Sequence, residues 1–134
     1  MDIQENLFIQ AKNARLNAYT PYSCFKVGAA VLSEKNNIYA SCNVENVSYP
    51  CGTCAEAGAI ASMVAGGDQK IKKILVVADS EVLIKPCGAC LQRILEFSTE
   101  ETVIYLADLE GIKQSYKMVD LLPISFNEKG LKHE

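Results

Sequence analysis

The sequence predicts an α/β fold in which helices pack on a mixed sheet. Three observations support this prediction. An amphipathic segment opens the 134-residue chain, two strand-like segments follow with a turn between them, and a helix followed by a strand then occurs twice. No repeat, linker or low-complexity tract separates these elements. We therefore expect one domain over residues 1–134.

The first helix is predicted over residues 2–18, because apolar residues recur there at the spacing of one helical face. Asp2 is the expected N-cap of this helix. Two strand-like segments, 25–33 and 38–44, flank the sequence Glu-Lys-Asn-Asn. Asparagine in such a turn favours a β-hairpin.

Two helix–strand units follow the hairpin. The first unit joins AEAGAIASMVAGG, a helix that Gly66 and Gly67 end, to the apolar run IKKILVVAD. An almost continuous apolar run indicates a strand that is covered on both faces. The second unit joins GACLQRILEFS to TVIYLAD, and the remaining residues predict a weak strand, a short helical turn and a tail.

Composition narrows the range of functions. Hydrophobic residues make up 49% of the chain and charged residues 22%, which are ordinary values for a globular protein. The net charge of -3 provides no basic surface for nucleic acid or for an anionic membrane. No apolar run approaches the roughly 18 residues that span a bilayer, and the acidic N-terminus does not resemble a signal peptide. We expect a cytoplasmic protein with neither a nucleic-acid nor a membrane partner.

The cysteines are the strongest chemical signal. Pro-Cys-Gly-x-Cys occurs twice, each time where a loop is expected to become a helix. Thiols stay reduced in the cytoplasm, so metal binding is a better interpretation than disulfides. A helix N-terminus also favours the thiolate, which is the form that binds metal. The six cysteines are Cys24, Cys42, Cys51, Cys54, Cys87 and Cys90.

Two metal sites are compatible with this pattern. In the first possible site, all four paired cysteines bind one ion and form a closed structural site, although zinc ribbons usually place their pairs about 15–20 residues apart. In the other, Cys54, Cys87 and Cys90 bind zinc and leave a fourth position open. Glu56 favours the second site, because Cys-Ala-Glu followed by Pro-Cys-x-x-Cys is the cysteine form of the zinc-deaminase signature. A carboxylate that merely stabilises a helix N-terminus is the plain alternative for Glu56.

The chain resembles the small homotetrameric zinc-dependent cytidine deaminases over nearly its whole length. The resemblance rests on FKVGAAVL, NVENVSYP, CAE, PCGAC and LLPISF taken together. It implies a three-layer α/β/α sandwich around a mixed sheet and one Zn²⁺ per chain. It also implies deamination of free cytidine and deoxycytidine in pyrimidine salvage, by a homotetramer whose active sites are shared between subunits.

The resemblance also implies roles for particular residues. Cys54, Cys87 and Cys90 would bind zinc, whereas Cys51 would not. Glu56 would take a proton from water at the metal, protonate ring N3 and later protonate the departing ammonia.

Five further residues would contact the nucleoside. Asn43 and Glu45 would bind the ribose 3′-hydroxyl, and the backbone N–H of Ala55 would bind the pyrimidine O2. Phe25 would line the base pocket, and Phe126 would stack on the base from a neighbouring subunit. The alternatives are that Asn43 and Glu45 are turn residues, that Phe25 belongs to the core and that Phe126 is a docking anchor.

The sequence departs from the usual family pattern at Ala57 and Leu91, where relatives commonly have arginines that donate to the thiolates. Arg93 and Lys85 are the cations near these positions in the sequence. Two alternative functions remain open. The chain could act on another small aminopyrimidine nucleoside such as blasticidin S, or it could be a non-catalytic zinc module.

Overall fold

A computed structural model describes residues 2–128 and 131. Within them, five strands form one sheet in the order β2-β1-β3-β4-β5. The β3–β4 pair is parallel and the other pairs are antiparallel, so the sheet is mixed as predicted. The strands are β1 Val27–Ser33, β2 Ile38–Cys42, β3 Ile71–Ala78, β4 Ser98–Asp108 and β5 Gly111–Lys117, and the helices are α1 Ile3–Arg15, α2 Ala55–Ala65, α3 Gly88–Glu96 and α4 Met118–Leu121.

Helices cover both faces of the sheet. On one face, Leu7 and Ala11 of α1 pack in a cluster that contains Leu75 and Val77 of β3. On the other face, α2 and α3 pack in a second cluster that contains Ile74 and Val76 of the same strand. Successive residues of β3 thus enter opposite cores, which explains its continuous apolar sequence. The predicted three-layer α/β/α sandwich is confirmed.

Glycines allow two helices to lie close to the sheet. A Cβ atom at Gly28 of β1 would collide with the carbonyl oxygen of Ala11 in α1. A Cβ atom at Gly58 of α2 would collide with the hydroxyl of Ser41 in β2. The distance between each helix and the sheet therefore depends on a residue without a side chain.

The first helix ends earlier than predicted. Its N-cap is Asp2, whose carboxylate accepts a hydrogen bond from the N–H of Glu5 at 2.8 Å. It ends at Arg15 rather than at residue 18, because the chain turns to pair with the segment after β2. The N–H of Tyr19 donates to the carbonyl of Asn43 at 3.1 Å, and the backbone carbonyl of Tyr19 accepts from the N–H of Glu45 at 2.9 Å.

The hairpin strands are also shorter than the predicted segments 25–33 and 38–44. Beyond Cys42, the side-chain oxygen of Asn43 accepts from the N–H of Val27 at 2.9 Å. A side chain thus continues the ladder of hydrogen bonds where the strand ends. β4 is longer than the predicted 102–108, because Ser98 already pairs with Ile71 of β3.

A buried carboxylate connects the turn after α2 to the hairpin. Asp68 is 2% exposed and accepts hydrogen bonds from Ser33 Oγ at 2.6 Å, Tyr39 OH at 2.9 Å and Asn37 Nδ2 at 3.0 Å. These bonds, the Ser33 bond foremost, lower the pKa of Asp68.

Among the described residues, no helix is both long enough and apolar enough to cross a membrane.

Candidate active site

Two helix N-termini place thiols at the same end of the second core. Cys54 is the N-cap of α2, and Cys87 is the N-cap of α3. The backbone N–H of Ala57, in the first turn of α2, helps to lower the pKa of the Cys54 thiol. Backbone N–H groups at the N-termini of α2 and α3 produce a local positive potential that favours thiolates. The two Cys-x-x-Cys motifs thus begin the two helices, as the sequence predicts.

Three potential metal ligands lie together. The nearest ligand atoms of Cys54, Glu56 and Cys90 are all within 4.8 Å of one another. Two sulfurs that bind one zinc ion at about 2.3 Å in tetrahedral geometry lie roughly 3.8 Å apart, which fits this spacing. Soft sulfur donors favour zinc over hard cations such as Mg²⁺. The residues present therefore fit a zinc ion.

The two clustered thiols interact directly. A hydrogen bond from Cys90 is the main cause that lowers the pKa of Cys54 to about 6, and Arg93 lowers it further. The same interaction raises the pKa of Cys90, which is only 1% exposed. The Cys54–Cys90 pair therefore loses its first proton more readily than an isolated thiol does.

Glu56 is a buried acid beside these sulfurs. It is 5% exposed, and burial raises its pKa to about 7. The nearby Cys54 raises the pKa as well. A carboxyl group that titrates near neutrality exchanges protons readily at physiological pH, which is the property that general acid–base catalysis requires.

The remaining paired cysteines lie outside this cluster. Cys87 is exposed and is not within the 4.8 Å group, although its charge contributes to raising the pKa of Cys90. Cys51 is also exposed, in a short 3₁₀ turn, and its sulfur lies 3.5 Å from the hydroxyl of Ser48. The four thiols therefore do not form one compact group.

The predicted ribose-binding residues organise the loop before β1. Asn43 donates to the carbonyl of Phe25 and accepts from Val27, both at 2.9 Å. Glu45 accepts from the N–H groups of Tyr22 and Ser23 at 3.0 and 3.1 Å and from the Ser23 hydroxyl. The Ser23 hydrogen bond is the main cause that lowers the pKa of Glu45. Both side chains are therefore held in place before any ligand binds.

A cavity of about 330 Å³ opens beside Glu45. This volume is within the range of small-molecule sites. Two of its lining residues, Tyr22 and Tyr49, pack edge to face with ring centroids 6.0 Å apart. The lining residues are Tyr22, Ser23, Glu45, Asn46, Tyr49 and Gly52.

The other predicted contact residues occupy different environments. Ala55 is fully buried as the first residue of α2, where backbone N–H groups have no partner within the helix. Phe25 is partly buried at the loop before β1. Phe126 is 62% exposed, and its carbonyl accepts from Gln92 Nε2 at 2.7 Å. The single histidine of the sequence, His133, lies outside the described residues.

Two neighbours of the site make contacts that the sequence did not specify. The hydroxyl of Ser23 donates to Glu45 and accepts from the N–H of Phe25 at 3.0 Å. Arg93 lies near both Cys54 and Cys90. Its position one helical turn after Cys90 is a partial signal, but the contact with Cys54 depends on how α2 and α3 pack.

Fold and site together define the class of protein. It is a zinc enzyme of α/β/α architecture that carries a buried carboxylate beside its cysteine donors. The family model described as the cytidine and deoxycytidylate deaminase zinc-binding region matches residues 1–106. The chain belongs to this family.

Individual relatives match over almost their full lengths. A cytidine deaminase from Sporosarcina psychrophila is 42% identical over 133 residues, which cover 99% of this chain and 97% of the relative. Another from Halalkalibacterium halodurans is 37% identical over 128 residues, covering 96% and 97%. The crystal structure of cytidine deaminase from Burkholderia pseudomallei has a TM-score of 0.87 and 38% identity, and the match covers 94% of this chain and all of that one.

Proposed function

We propose that this protein is a zinc-dependent hydrolase that converts cytidine and deoxycytidine, with water, into uridine and deoxyuridine and ammonia. The observation that carries the proposal is the position of Glu56, a carboxylate that is 5% exposed and lies within 4.8 Å of the sulfurs of Cys54 and Cys90. A purely structural zinc site does not need such a group. The names of the relatives support the same activity.

Cys54, Cys87 and Cys90 are the proposed zinc ligands. The proximity of Cys54 and Cys90 supports two of them, and the position of Cys87 at the N-terminus of α3 supports the third. A bound zinc ion supplies an acidified water molecule, and with it a nucleophile at neutral pH. Cys51 is assigned no ligand role, because its sulfur faces Ser48.

Glu56 is the proposed proton carrier. Its carboxylate accepts a proton from the attacking water and delivers it to ring N3 as the bond to C4 forms. It then carries the second proton to the amino group, which leaves as ammonia. Because burial raises the pKa of Glu56 to about 7, both protonation states are populated at neutral pH.

The nucleoside is proposed to bind between the metal site and the cavity that Glu45 lines. Asn43 retains one amide hydrogen and Glu45 retains acceptor capacity for the ribose 3′-hydroxyl. The free N–H of Ala55 is the proposed donor to the pyrimidine O2. Phe25 is the proposed wall of the base pocket.

Phe126 is proposed to complete the base pocket of a neighbouring subunit in a homotetramer. Its 62% exposure within one chain supports this role. We further propose that residues 1–134 form one deaminase domain, since both cores share a single sheet. A cytoplasmic role in pyrimidine salvage is the physiological setting that we propose.

The proposed activity is tested by adding purified protein to cytidine, following the loss of cytidine absorbance and measuring released ammonia. Blasticidin S serves as the comparison substrate. The proposal predicts rapid, stoichiometric ammonia release from cytidine and deoxycytidine. Release from blasticidin S alone would move the activity to another aminopyrimidine, and release from none of them by zinc-loaded protein would refute deamination of these substrates.

A further inference from the structure

Arg93 connects the two clustered sulfurs from the outside. It lies on α3, three residues after Cys90, and its Nη1 atom is 3.6 Å from Cys90 Sγ. The same nitrogen is 3.8 Å from Cys54 Sγ at the N-terminus of α2. One guanidinium group therefore spans the junction of the two helices that provide the metal donors.

We infer that Arg93 is a positioning residue for the metal site. Its guanidinium group donates hydrogen bonds to the Cys54 and Cys90 thiolates and holds the two sulfurs as a pair around the zinc ion. The inference rests on the proposed zinc site. It goes beyond that site by assigning metal retention to a residue that is neither a ligand nor a proton carrier.

Sulfur chemistry allows both interactions at once. A thiolate that gives one lone pair to a metal keeps others that can accept an N–H hydrogen bond. Such a bond restricts the orientation of the sulfur and leaves the metal bond intact. Because Arg93 contacts both sulfurs, it restrains their separation as well as their directions.

Charge balance gives a second reason for a cation at this position. Zinc with three thiolates has a formal charge of about 2 − 3 = −1, and ionised Glu56 adds another negative charge beside it. The helix N-termini offset part of this charge. Arg93 contributes a full positive charge at hydrogen-bonding distance, while its exposed side chain requires little desolvation.

Arginine suits this role better than lysine. The guanidinium group is a planar fork with several N–H donors, so it can serve two acceptors in a fixed geometry, whereas an ammonium group is a compact point charge. Arg93 is also not among the residues that line the cavity beside Glu45. We therefore expect it to govern metal retention rather than nucleoside affinity.

The test measures zinc release from zinc-loaded protein into a chromogenic chelator for Arg93→Gln, Arg93→Lys and Lys85→Gln. Loss of a group that orients metal ligands commonly weakens metal binding about 10- to 100-fold. Zinc loss from Arg93→Gln should be faster by a factor in that range. Arg93→Lys should fall between that variant and the wild type. Lys85→Gln removes one positive charge from the exposed loop before α3 and should release zinc at the wild-type rate.

Cobalt substitution gives a readout that a general loss of stability does not produce. Hydrogen bonds to a thiolate lower the energy of its lone pairs, so removing them should shift the thiolate-to-cobalt charge-transfer band to longer wavelength in Arg93→Gln. Among the zinc-loaded variants, kcat should fall while the KM for cytidine changes little.

Wild-type zinc release and an unshifted band in folded Arg93→Gln would overturn the inference while leaving the proposed function intact. If Arg93→Gln does not fold, the same two measurements on Arg93→Lys decide. A wild-type protein that binds no zinc would instead refute the proposed function itself.

Discussion

The side-chain amide of Asn43 donates to the carbonyl of Phe25 at 2.9 Å, so two residues with proposed roles at the nucleoside hold each other in place. The same amide accepts from Val27 at 2.9 Å. Asn43 thus serves as a backbone substitute between β2 and the loop before β1. A residue proposed to bind ribose also sets the geometry of the loop that precedes the base pocket.

Replacing Asn43 should therefore affect stability and binding together. Asn43→Ala leaves a partly buried N–H and a partly buried carbonyl without their partner, a loss that costs about 1–3 kcal/mol. We expect a free energy of unfolding lower by that amount in urea titration, and a raised KM for cytidine. Asn17→Ala, at an exposed position, is the matched control and should change stability by less than about 0.5 kcal/mol. An Asn43→Ala variant with wild-type stability would show that these two hydrogen bonds contribute nothing measurable.

Because of Asp68, the stability of the folded protein should decrease as the pH is lowered in the acid range. Its hydrogen bonds lower its folded-state pKa below the unfolded value of about 3.9, so its contribution is complete above that value and is lost as pH falls through the lower folded pKa. The difference in melting temperature between wild type and Asp68→Asn should be largest near pH 6 and shrink below about pH 4. Asp79→Asn, at an exposed site, should show no such dependence. A constant difference across this range would contradict the assignment.

The contact at Gly28 predicts a steric cost. Gly28→Ala forces a methyl group against the carbonyl of Ala11, and overpacking of this kind costs about 1–3 kcal/mol. A Cβ atom at Gly88 meets nothing within 4 Å, so Gly88→Ala is the matched control. Chemical denaturation should show a clear loss of stability for the first variant only. Equal stability of the two variants would mean that α1 moves away from the sheet without cost.

Zinc content should separate the paired cysteines. Cys51→Ser should retain one zinc ion per chain, because the Cys51 sulfur faces Ser48 rather than the clustered thiols. Cys54→Ser, Cys87→Ser and Cys90→Ser should each lose zinc or stability. Elemental analysis of the four purified variants measures this directly. Equal zinc loss from Cys51→Ser and Cys54→Ser would favour a closed site of four thiolates.

Periodicity and spacing were sufficient to predict most of the fold. The continuous apolar sequence of β3 predicted a strand between two cores, and Ile74 and Leu75 do enter opposite cores. The end of α1 was not predictable in this way, because it depends on the pairing of Tyr19 with a segment more than twenty residues away. Local propensity carries no information about such a contact.

In the candidate site too, some features were predictable from the sequence and others depend on tertiary structure. The deaminase signature predicted that Cys54, Cys87, Cys90 and Glu56 belong to one site. The proximity of Cys90 to Cys54 and Glu56 in the folded chain depends on how α2 packs against α3. The reach of Arg93 to Cys54 depends on this packing and on a side-chain conformation, so the sequence offered Arg93 and Lys85 as equal candidates. Tertiary structure distinguishes between them.

Turnover and zinc content measured on the same sample of Glu56→Gln test the central claim most directly. Glutamine matches the shape of the buried carboxylate but cannot carry a proton, while the proposed thiolate ligands are unchanged. General acid–base groups commonly contribute about 10²- to 10⁴-fold to rate. The account predicts one zinc ion per chain, a wild-type fold and a loss of cytidine turnover of at least that size. A folded, zinc-loaded Glu56→Gln protein with near wild-type turnover would contradict it.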